Sequence, residues 1–336
     1  MIFLILTLVI LNIILILSFK NLSKKLKIED RADGIRKFQQ TPISLLGGSF
    51  ILINIIVAFL FDYFLYNINL FNNFISTNRE LFSFVIGIFS FYILGLFDDK
   101  YNLSSNYKLL ISTFLVIFFL LIDNNLLISK LEFSFSNHII ELKSFSFFFT
   151  ILCFLLFFNA LNMFDGINCQ SGSYCILIFL IFLIRNIIPE FSLILILSIL
   201  FFLILNYKNK IYLGESGVLI LAFIISYIFV KISNDKNNYF LADEIFMIMA
   251  LPGIDMFRLF ILRIYNGKHP FSSDTKHIHH LVSKHFSKEK TFIFIFLYIL
   301  TTTVCYFFVE FKLLYLIFYI LIYLSIIFLL TKKIKN

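Results

Sequence analysis

The chain has 336 residues, of which 60% are hydrophobic and only 14% are charged, and its formal net charge is +8. Its mean hydropathy of +0.95 exceeds what a soluble domain can bury, so the composition excludes a soluble globular protein and predicts a polytopic membrane protein. The basic excess is explained by cytoplasmic loops that face anionic lipid, so we expect the lipid bilayer as a partner and no nucleic acid.

Runs of about 20 mostly apolar residues, the length that crosses a bilayer, recur along the whole chain. They predict an all-α polytopic protein with about eleven (10–11) transmembrane helices. The segments lie near 2–19, 44–61, 82–97, 108–122, 144–160, 173–184, 190–206, 217–231, 244–264, 291–309 and 313–331. No stretch between them is long enough for a soluble domain, so residues 1–336 are interpreted as a single transmembrane domain. The exterior stretch 126–144 alternates apolar and polar residues, which predicts a short hairpin.

Lys and Arg are distributed unevenly between alternate loops. Of the 28 such residues, 21 lie in the segments 20–42, 98–108, 207–215, 258–290 and 332–336. Because loops rich in Lys and Arg stay in the cytoplasm, these segments are predicted to be cytoplasmic. An odd number of spans then leaves the amino terminus outside and the carboxyl terminus inside.

Four polar clusters interrupt the apolar chain, and all lie on the predicted cytoplasmic side. In the first, Asp98 and Asp99 end the third span and Lys108 follows them. Adjacent carboxylates repel each other, so such a pair suits Mg²⁺ binding or proton acceptance. The alternative is a solvated helix end.

The second cluster has Asn162, Asp165 and Asn168 at intervals of three residues. On a helix or helical turn this spacing directs all three to one side. Gly166 would let the backbone bend or approach a ligand closely. A capping or turn segment is the alternative interpretation.

In the third cluster, Gly214 and Gly217 flank Glu215 just before the eighth span. Backbone amides at that helix start could face an anion beside a metal-binding carboxylate. A tetrapeptide with two glycines is weak evidence when taken alone.

The fourth cluster contains Asp274, His277, His279 and His280 in a basic loop that follows Arg263. Paired histidines first suggest zinc. The surrounding carboxylates and lysines, with no cysteine nearby, favour phosphate recognition and Mg²⁺ chemistry instead.

Taken in this order, the clusters resemble the polyprenyl-phosphate N-acetylhexosamine-1-phosphate transferases, the membrane enzymes of glycosyltransferase family 4. The resemblance covers nearly the whole chain. It rests on Arg36-Lys37, residues 42–48, Asp98-Asp99 with Lys108, residues 159–172, residues 212–217, Pro252 with Asp255, Arg263, and residues 270–280. The sequence His-Ile-His-His at 277–280 resembles that of the branch that uses UDP-N-acetylglucosamine or related UDP-sugars to start O-antigen (lipopolysaccharide), teichoic acid or other cell-wall and surface glycans.

The resemblance implies transfer of a sugar 1-phosphate from a UDP-N-acetylhexosamine to undecaprenyl phosphate, with release of UMP. The sugar expected first is GlcNAc. It further implies an active site on the cytoplasmic face of the bacterial inner membrane and Mg²⁺ as cofactor, with Mn²⁺ as an alternative. A homodimer is compatible with the family.

The resemblance also implies roles for individual residues. The expected catalytic residues are Asp98, Asp99 and Asp165, and the expected metal ligands are Glu215, Asp165 and Asn168. The expected substrate-binding residues are Asn162, Asn168, Tyr212, Lys108, Arg263, Asp274, His277, His279, His280, Arg36 and Lys37.

Several positions depart from the family pattern. Glu215 and Asn168 each stand where the family usually has Asp, Cys169 replaces a common glycine and Gln39 a frequent histidine. These departures leave an inactive homologue as one alternative. An ion-coupled transporter is another, but its relay acids should lie near mid-span. The acids of the four clusters lie at span ends, which favours the transferase.

Overall fold

The computed structural model is built mainly of helices and describes residues 1–30, 42–66, 70–71, 74–234, 239–272 and 274–335. In chain order the helices are α1 (Ile2–Leu26), α2 (Gly47–Phe61), α3 (Asn78–Tyr101), α4 (Ser105–Ile122), α5 (Ser146–Phe164), α6 (Gln170–Ile184), α7 (Pro189–Tyr207), α8 (Gly214–Ser233), α9 (Ala242–Tyr265), α10 (Ile278–Ser283), α11 (Lys288–Phe308) and α12 (Lys312–Lys335). Two antiparallel strand pairs accompany them: β1 (Glu29–Asp30) with β2 (Ile43–Ser44), and β3 (Lys130–Phe133) with β4 (Ser136–Glu141).

Within the described residues, ten helices are long and apolar enough to cross a membrane. Every predicted span contains a helix, but the span near 173–184 corresponds to α6, which has only 15 residues. That length is short of the roughly 20 residues a span needs. The all-α polytopic membrane architecture is confirmed, with the number of spans at the lower end of the predicted range. The orientation of the termini stays a prediction, as does the single domain.

The chain divides into two compact units. The first unit comprises Met1–Asn124 and Ser171–Ile225, and the second comprises Asn125–Gln170 and Ser226–Asn336. In the first unit α2 packs against α1 and α7, and α3 packs against α4. Buried phenylalanine rings fill this unit: Phe84 meets Phe191 edge-on at 5.8 Å, and Phe91 stacks on Phe223 at 5.0 Å. Such pairs contribute beyond the apolar area that they bury.

Two buried amides join α1 to α2 in the first unit. Nδ2 of Asn12 donates to Oδ1 of Asn54 at 2.7 Å, and Nδ2 of Asn54 donates back at 3.0 Å. Each Nδ2 also donates to a carbonyl of its own helix. Because an unpaired polar group in hydrocarbon costs several kcal/mol, this reciprocal pair fixes how α1 and α2 align.

The second unit packs α5 against α9, and α10 against α11 and α12. It also contains the hairpin predicted within 126–144, with Leu131 opposite Ile140. Asp243, in the first turn of α9, accepts hydrogen bonds from the backbone N–H of Ser134 at 2.8 Å and from the hydroxyl groups of Ser134 and Tyr306. The hairpin turn is therefore attached to α9 by hydrogen bonds.

Candidate functional site

In the first unit, the segment before α2 pairs with the segment before α8. The amide of Tyr212 donates to the carbonyl of Ser44 at 2.8 Å, and the amide of Gly47 donates to the carbonyl of Tyr212 at 3.1 Å. A Cβ on Gly47 would lie 2.6 Å from that same carbonyl oxygen, so the close approach requires glycine. Burial, and then the nearby charge of Asp30, raises the pKa of the Tyr212 phenol, which therefore stays neutral at pH 7.

Asp99 caps the first turn of α8. Its Oδ1 accepts from the amide of Glu215 at 2.8 Å, and its Oδ2 accepts from the amide of Ser216 at 3.1 Å. The sequence predicts that amides at this helix start could face an anion, and in the structure that anion is the protein's own carboxylate. Unpaired amides and the helix dipole both stabilise a negative charge there. Gly214 has φ +73°, and a Cβ on it would lie 2.8 Å from Oδ2 of Asp99.

Lys108 joins two of the predicted carboxylates. Its Nζ lies 2.7 Å from Oδ2 of Asp98 and 2.9 Å from Oε1 of Glu215. Together with Asp99, these side chains form the acidic cluster of the first unit, with a formal charge of −2. Such a cluster attracts a cation and repels a bare phosphate, although Lys108 was predicted as a phosphate contact.

The donor atoms of the acidic cluster suit Mg²⁺, which prefers carboxylate oxygens and keeps several waters. The Lys108 ammonium already lies between two of the carboxylates, at a position where positive charge neutralises them. Among the residues that the structure describes, no group of three or more His, Cys, Asp or Glu side chains is arranged to hold a metal ion. Of the predicted ligands, Glu215 belongs to the first unit and Asp165 and Asn168 to the second. The magnesium site stays a prediction.

The predicted polar face at 162–168 is not one continuous helix face. Asn162 lies in the last turn of α5, which ends at Phe164. Asp165 follows with ψ 60°, and Asn168 lies in the turn before α6. The backbone leaves helical geometry at Asp165, and farther along this segment Cys169 has φ +65°. This left-handed conformation favours glycine, the residue that the family resemblance predicts at that position.

Gly166 lies directly against the ring of His279, and a Cβ at this position would overlap Nε2 of the imidazole. The rings of His277 and His279 stack at 5.3 Å, and those of His279 and His280 are 4.3 Å apart. Burial, followed by the neighbouring imidazoles, lowers the pKa of both His279 and His280. Both are therefore neutral at pH 7. These three imidazoles form the histidine cluster of the second unit.

A buried carboxylate on α9, Asp255, holds the start of α10. Its Oδ2 lies 3.1 Å from Nδ1 of His277, and its Oδ1 accepts from Arg258 at 2.7 Å and from Tyr323 at 2.6 Å. Asp255 was noted only as part of the family resemblance, and sequence reasoning missed Arg258 and Tyr323. Opposite charges three residues apart in a membrane-length helix are a signal for Arg258. Tyr323, from α12, gives no such signal.

Arg263 and Asp274, both predicted to bind substrate, bind each other. Nε of Arg263 lies 2.8 Å from Oδ2 of Asp274, and its Nη1 donates to the carbonyl of Pro270 at 2.6 Å. Burial opposes ionisation of Asp274, but the hydrogen bonds from Arg263 and from the amide of Lys276 lower its pKa overall. Arg263 is buried, so in this structure it holds the loop before α10 in place.

The predicted site residues thus fall into two groups. The first unit contains Asp98, Asp99, Lys108, Tyr212 and Glu215, and the second contains Asn162, Asp165, Asn168, Arg263, Asp274, His277, His279 and His280. Arg36, Lys37 and Gln39 lie outside the described residues. The roles of all these residues stay predictions.

The fold and the clusters define an all-α polytopic membrane protein with charged and imidazole side chains gathered at helix ends. Residues 81–233 match the family model of glycosyl transferase family 4. A relative from Escherichia coli K12, an undecaprenyl-phosphate alpha-N-acetylglucosaminyl 1-phosphate transferase, is 25% identical over 82% of this chain and 75% of its own. The protein of the same name from Salmonella typhi is 24% identical, over 84% and 76%. A Bacillus subtilis protein with a "probable" name of this type is 27% identical, over 61% and 59%. These matches bear out the predicted resemblance to glycosyl transferase family 4 and to its undecaprenyl-phosphate GlcNAc-1-phosphate transferases.

Proposed function

We propose that this protein transfers an N-acetylhexosamine 1-phosphate, with GlcNAc 1-phosphate as first candidate, from a UDP-sugar to undecaprenyl phosphate and releases UMP. The observation that carries the proposal is the acidic cluster, which lies within the segment that matches the family model. There Lys108 lies between Asp98 and Glu215, and Asp99 accepts from the amide of Glu215, at the ends of membrane-length helices. The names of the relatives support the lipid acceptor and the transferred sugar.

The chemistry of the clusters suits phosphoryl transfer, which depends on charge neutralisation and positioning more than on covalent catalysis. We keep Mg²⁺ as the proposed cofactor, and Asp98 and Glu215 would hold it. When bound, it supplies positive charge against the pyrophosphate of the donor. Asp98 need not act as a strong base, because a phosphate monoester is largely ionised at pH 7. In the second unit, His277 and Lys276 supply hydrogen-bond donors for phosphate oxygens.

The proposed active face is cytoplasmic, in a bacterial inner membrane, with the amino terminus outside. This orientation rests on the uneven distribution of Lys and Arg. A green fluorescent protein fused after residue 336 should fluoresce, whereas alkaline phosphatase fused there should be inactive because it folds only outside the cytoplasm. The opposite result would overturn the orientation and leave the reaction itself untested by that experiment.

The direct test incubates purified protein in nanodiscs with undecaprenyl phosphate and a panel of UDP-N-acetylhexosamines, with Mg²⁺ or with EDTA. UMP release and lipid-linked sugar are followed by chromatography. Asp165→Asn should abolish both products. Glu141→Gln, the same change of carboxylate to amide on the exposed hairpin strand β4, should leave them unchanged. Failure of folded wild-type protein to release UMP from any sugar would refute the proposal and favour an inactive homologue or an ion-coupled transporter.

A further inference from the structure

The oxygens of Asp255 are surrounded by hydrogen-bond donors from three helices. Oδ1 accepts from Nη2 of Arg258 at 2.7 Å and from the Tyr323 hydroxyl at 2.6 Å. Oδ2 faces Nδ1 of His277 at 3.1 Å and the amide of Ile278 at 3.3 Å. Asp255 is only 3% exposed and Tyr323 is fully buried. The carboxylate therefore has a complete set of protein donors and can act on other groups only through them.

The protonation of one of these donors follows from the pairing. Arg258 lies beside the carboxylate as its ion-pair partner, which keeps Asp255 ionised and able only to accept hydrogen bonds. Nδ1 of His277 must then carry the hydrogen of the 3.1 Å contact. Nε2 is then the second ring nitrogen of a residue that keeps 7% of its surface exposed. His279 differs, because its buried Nδ1 has no hydrogen-bond partner within the described residues.

We propose that Asp255 is a positioning residue that fixes His277 with Nδ1–H towards the carboxylate, so that Nε2 is available to a phosphate oxygen of the substrate. When Nε2 is also protonated, it donates a charge-assisted hydrogen bond to the phosphate while Asp255 balances the ring charge. Arg258 supports the arrangement, because its Nε donates to the Tyr323 hydroxyl at 2.7 Å and its Nη2 to the carbonyl of Lys276 at 2.7 Å. The phosphate assignment rests on the proposed function, but the tautomer does not.

Asp255→Asn tests this proposal because it keeps the shape of the side chain and reverses the hydrogen bond to His277, with loss of the longer contact from the amide of Ile278 at 3.3 Å. The new Oδ1 can still accept from Arg258 and Tyr323, so the amide NH₂ must face His277. Nδ1 then becomes an acceptor, and the neutral ring carries its hydrogen on Nε2. The matched control is Tyr323→Phe, which removes a hydroxyl from the same network but leaves the contact between Asp255 and His277 unchanged.

The first measurement is ¹⁵N NMR of histidine-labelled protein, with His277→Gln to assign the signals. Wild type and Tyr323→Phe should show a protonated Nδ1 at His277, and Asp255→Asn should show an unprotonated one. An unprotonated Nδ1 in wild type would overturn the proposal, even if Asp255→Asn does not fold. This readout needs no activity, so it stands or falls separately from the transferase reaction.

The second measurement separates positioning from a purely structural role. In the transferase assay, Asp255→Asn should lower kcat about 10- to 100-fold with KM changed less than about threefold, because an amide cannot balance positive charge on the His277 ring as a carboxylate does. Tyr323→Phe should lower kcat less than about threefold. Equal losses of kcat in the two variants would show that the network only stabilises the fold and would refute the positioning role.

Discussion

Lys108→Met would remove the ammonium that separates two carboxylates in the acidic cluster. Nζ lies 2.7 Å from Asp98 and 2.9 Å from Glu215. At an effective dielectric constant of about 20, each contact is worth about 6 kcal/mol before desolvation. Desolvation cancels most of this, and hydrogen bonds between charged groups retain about 1.5–3 kcal/mol net. Repulsion between the remaining carboxylates adds to the loss, so we expect Lys108→Met to cost about 3 kcal/mol.

Thermal unfolding in detergent measures this loss. Because the chain has no tryptophan, unfolding is followed with a thiol-reactive dye that reports exposure of its four cysteines. At about 2–4 °C per kcal/mol, Tm should fall by roughly 6–12 °C. Lys143→Met is the control, because Lys143 is exposed and its contact with Glu141 is 4.0 Å long. Its Tm should change by less than about 2 °C.

A double-mutant cycle decides whether the loss comes from the carboxylates. Lys108→Met combined with Glu215→Gln should be more stable than Lys108→Met alone, because the amide removes one of two repelling charges. The coupling energy should exceed about 1 kcal/mol. Strictly additive effects of the two changes would refute the electrostatic account of the cluster.

Three further predictions concern the glycines and the histidine cluster. Gly166→Ala should lower kcat about 100-fold because its Cβ would displace His279, whereas Gly253→Ala, with open space at its Cβ, should stay within about twofold in the same assay. Gly214→Ala should lower Tm more than Gly267→Ala does, because both glycines have positive φ but only a Cβ on Gly214 would meet a carboxylate oxygen, at 2.8 Å. Equal losses of Tm in the two variants would contradict this steric explanation. Because burial lowers the pKa of His279, the unfolded state binds more protons below about pH 6.5, so Tm should fall as pH drops from 7 to 5.5 and fall less in His279→Gln. A pH slope unchanged by that variant would argue against this cause.

The membrane class and the approximate spans could be read from the sequence because hydropathy is a property of consecutive residues. The hairpin at β3–β4 was predicted for the same reason, since strand alternation is local. The polar clusters stood out because charges beside apolar spans are costly and need an explanation. By contrast, the spacing at 162–168 left a helix and a turn both open, and the structure has helix only as far as Phe164, because spacing cannot detect where a backbone leaves helical dihedral angles.

What only the tertiary structure decided is which group each polar side chain meets. Asp99 is 116 residues from Glu215 in the chain, yet it caps α8 and fills the anion position that the sequence had left open. Asp255 binds both His277 and Tyr323, and Tyr323 is 68 residues from Asp255 in the chain and lies on a different helix. These pairings depend on helix packing, which brings distant residues into hydrogen-bond contact. The sequence by itself determined the membrane class, because burial in lipid depends on local composition, whereas the hydrogen-bond partners of the polar residues depend on the folded chain.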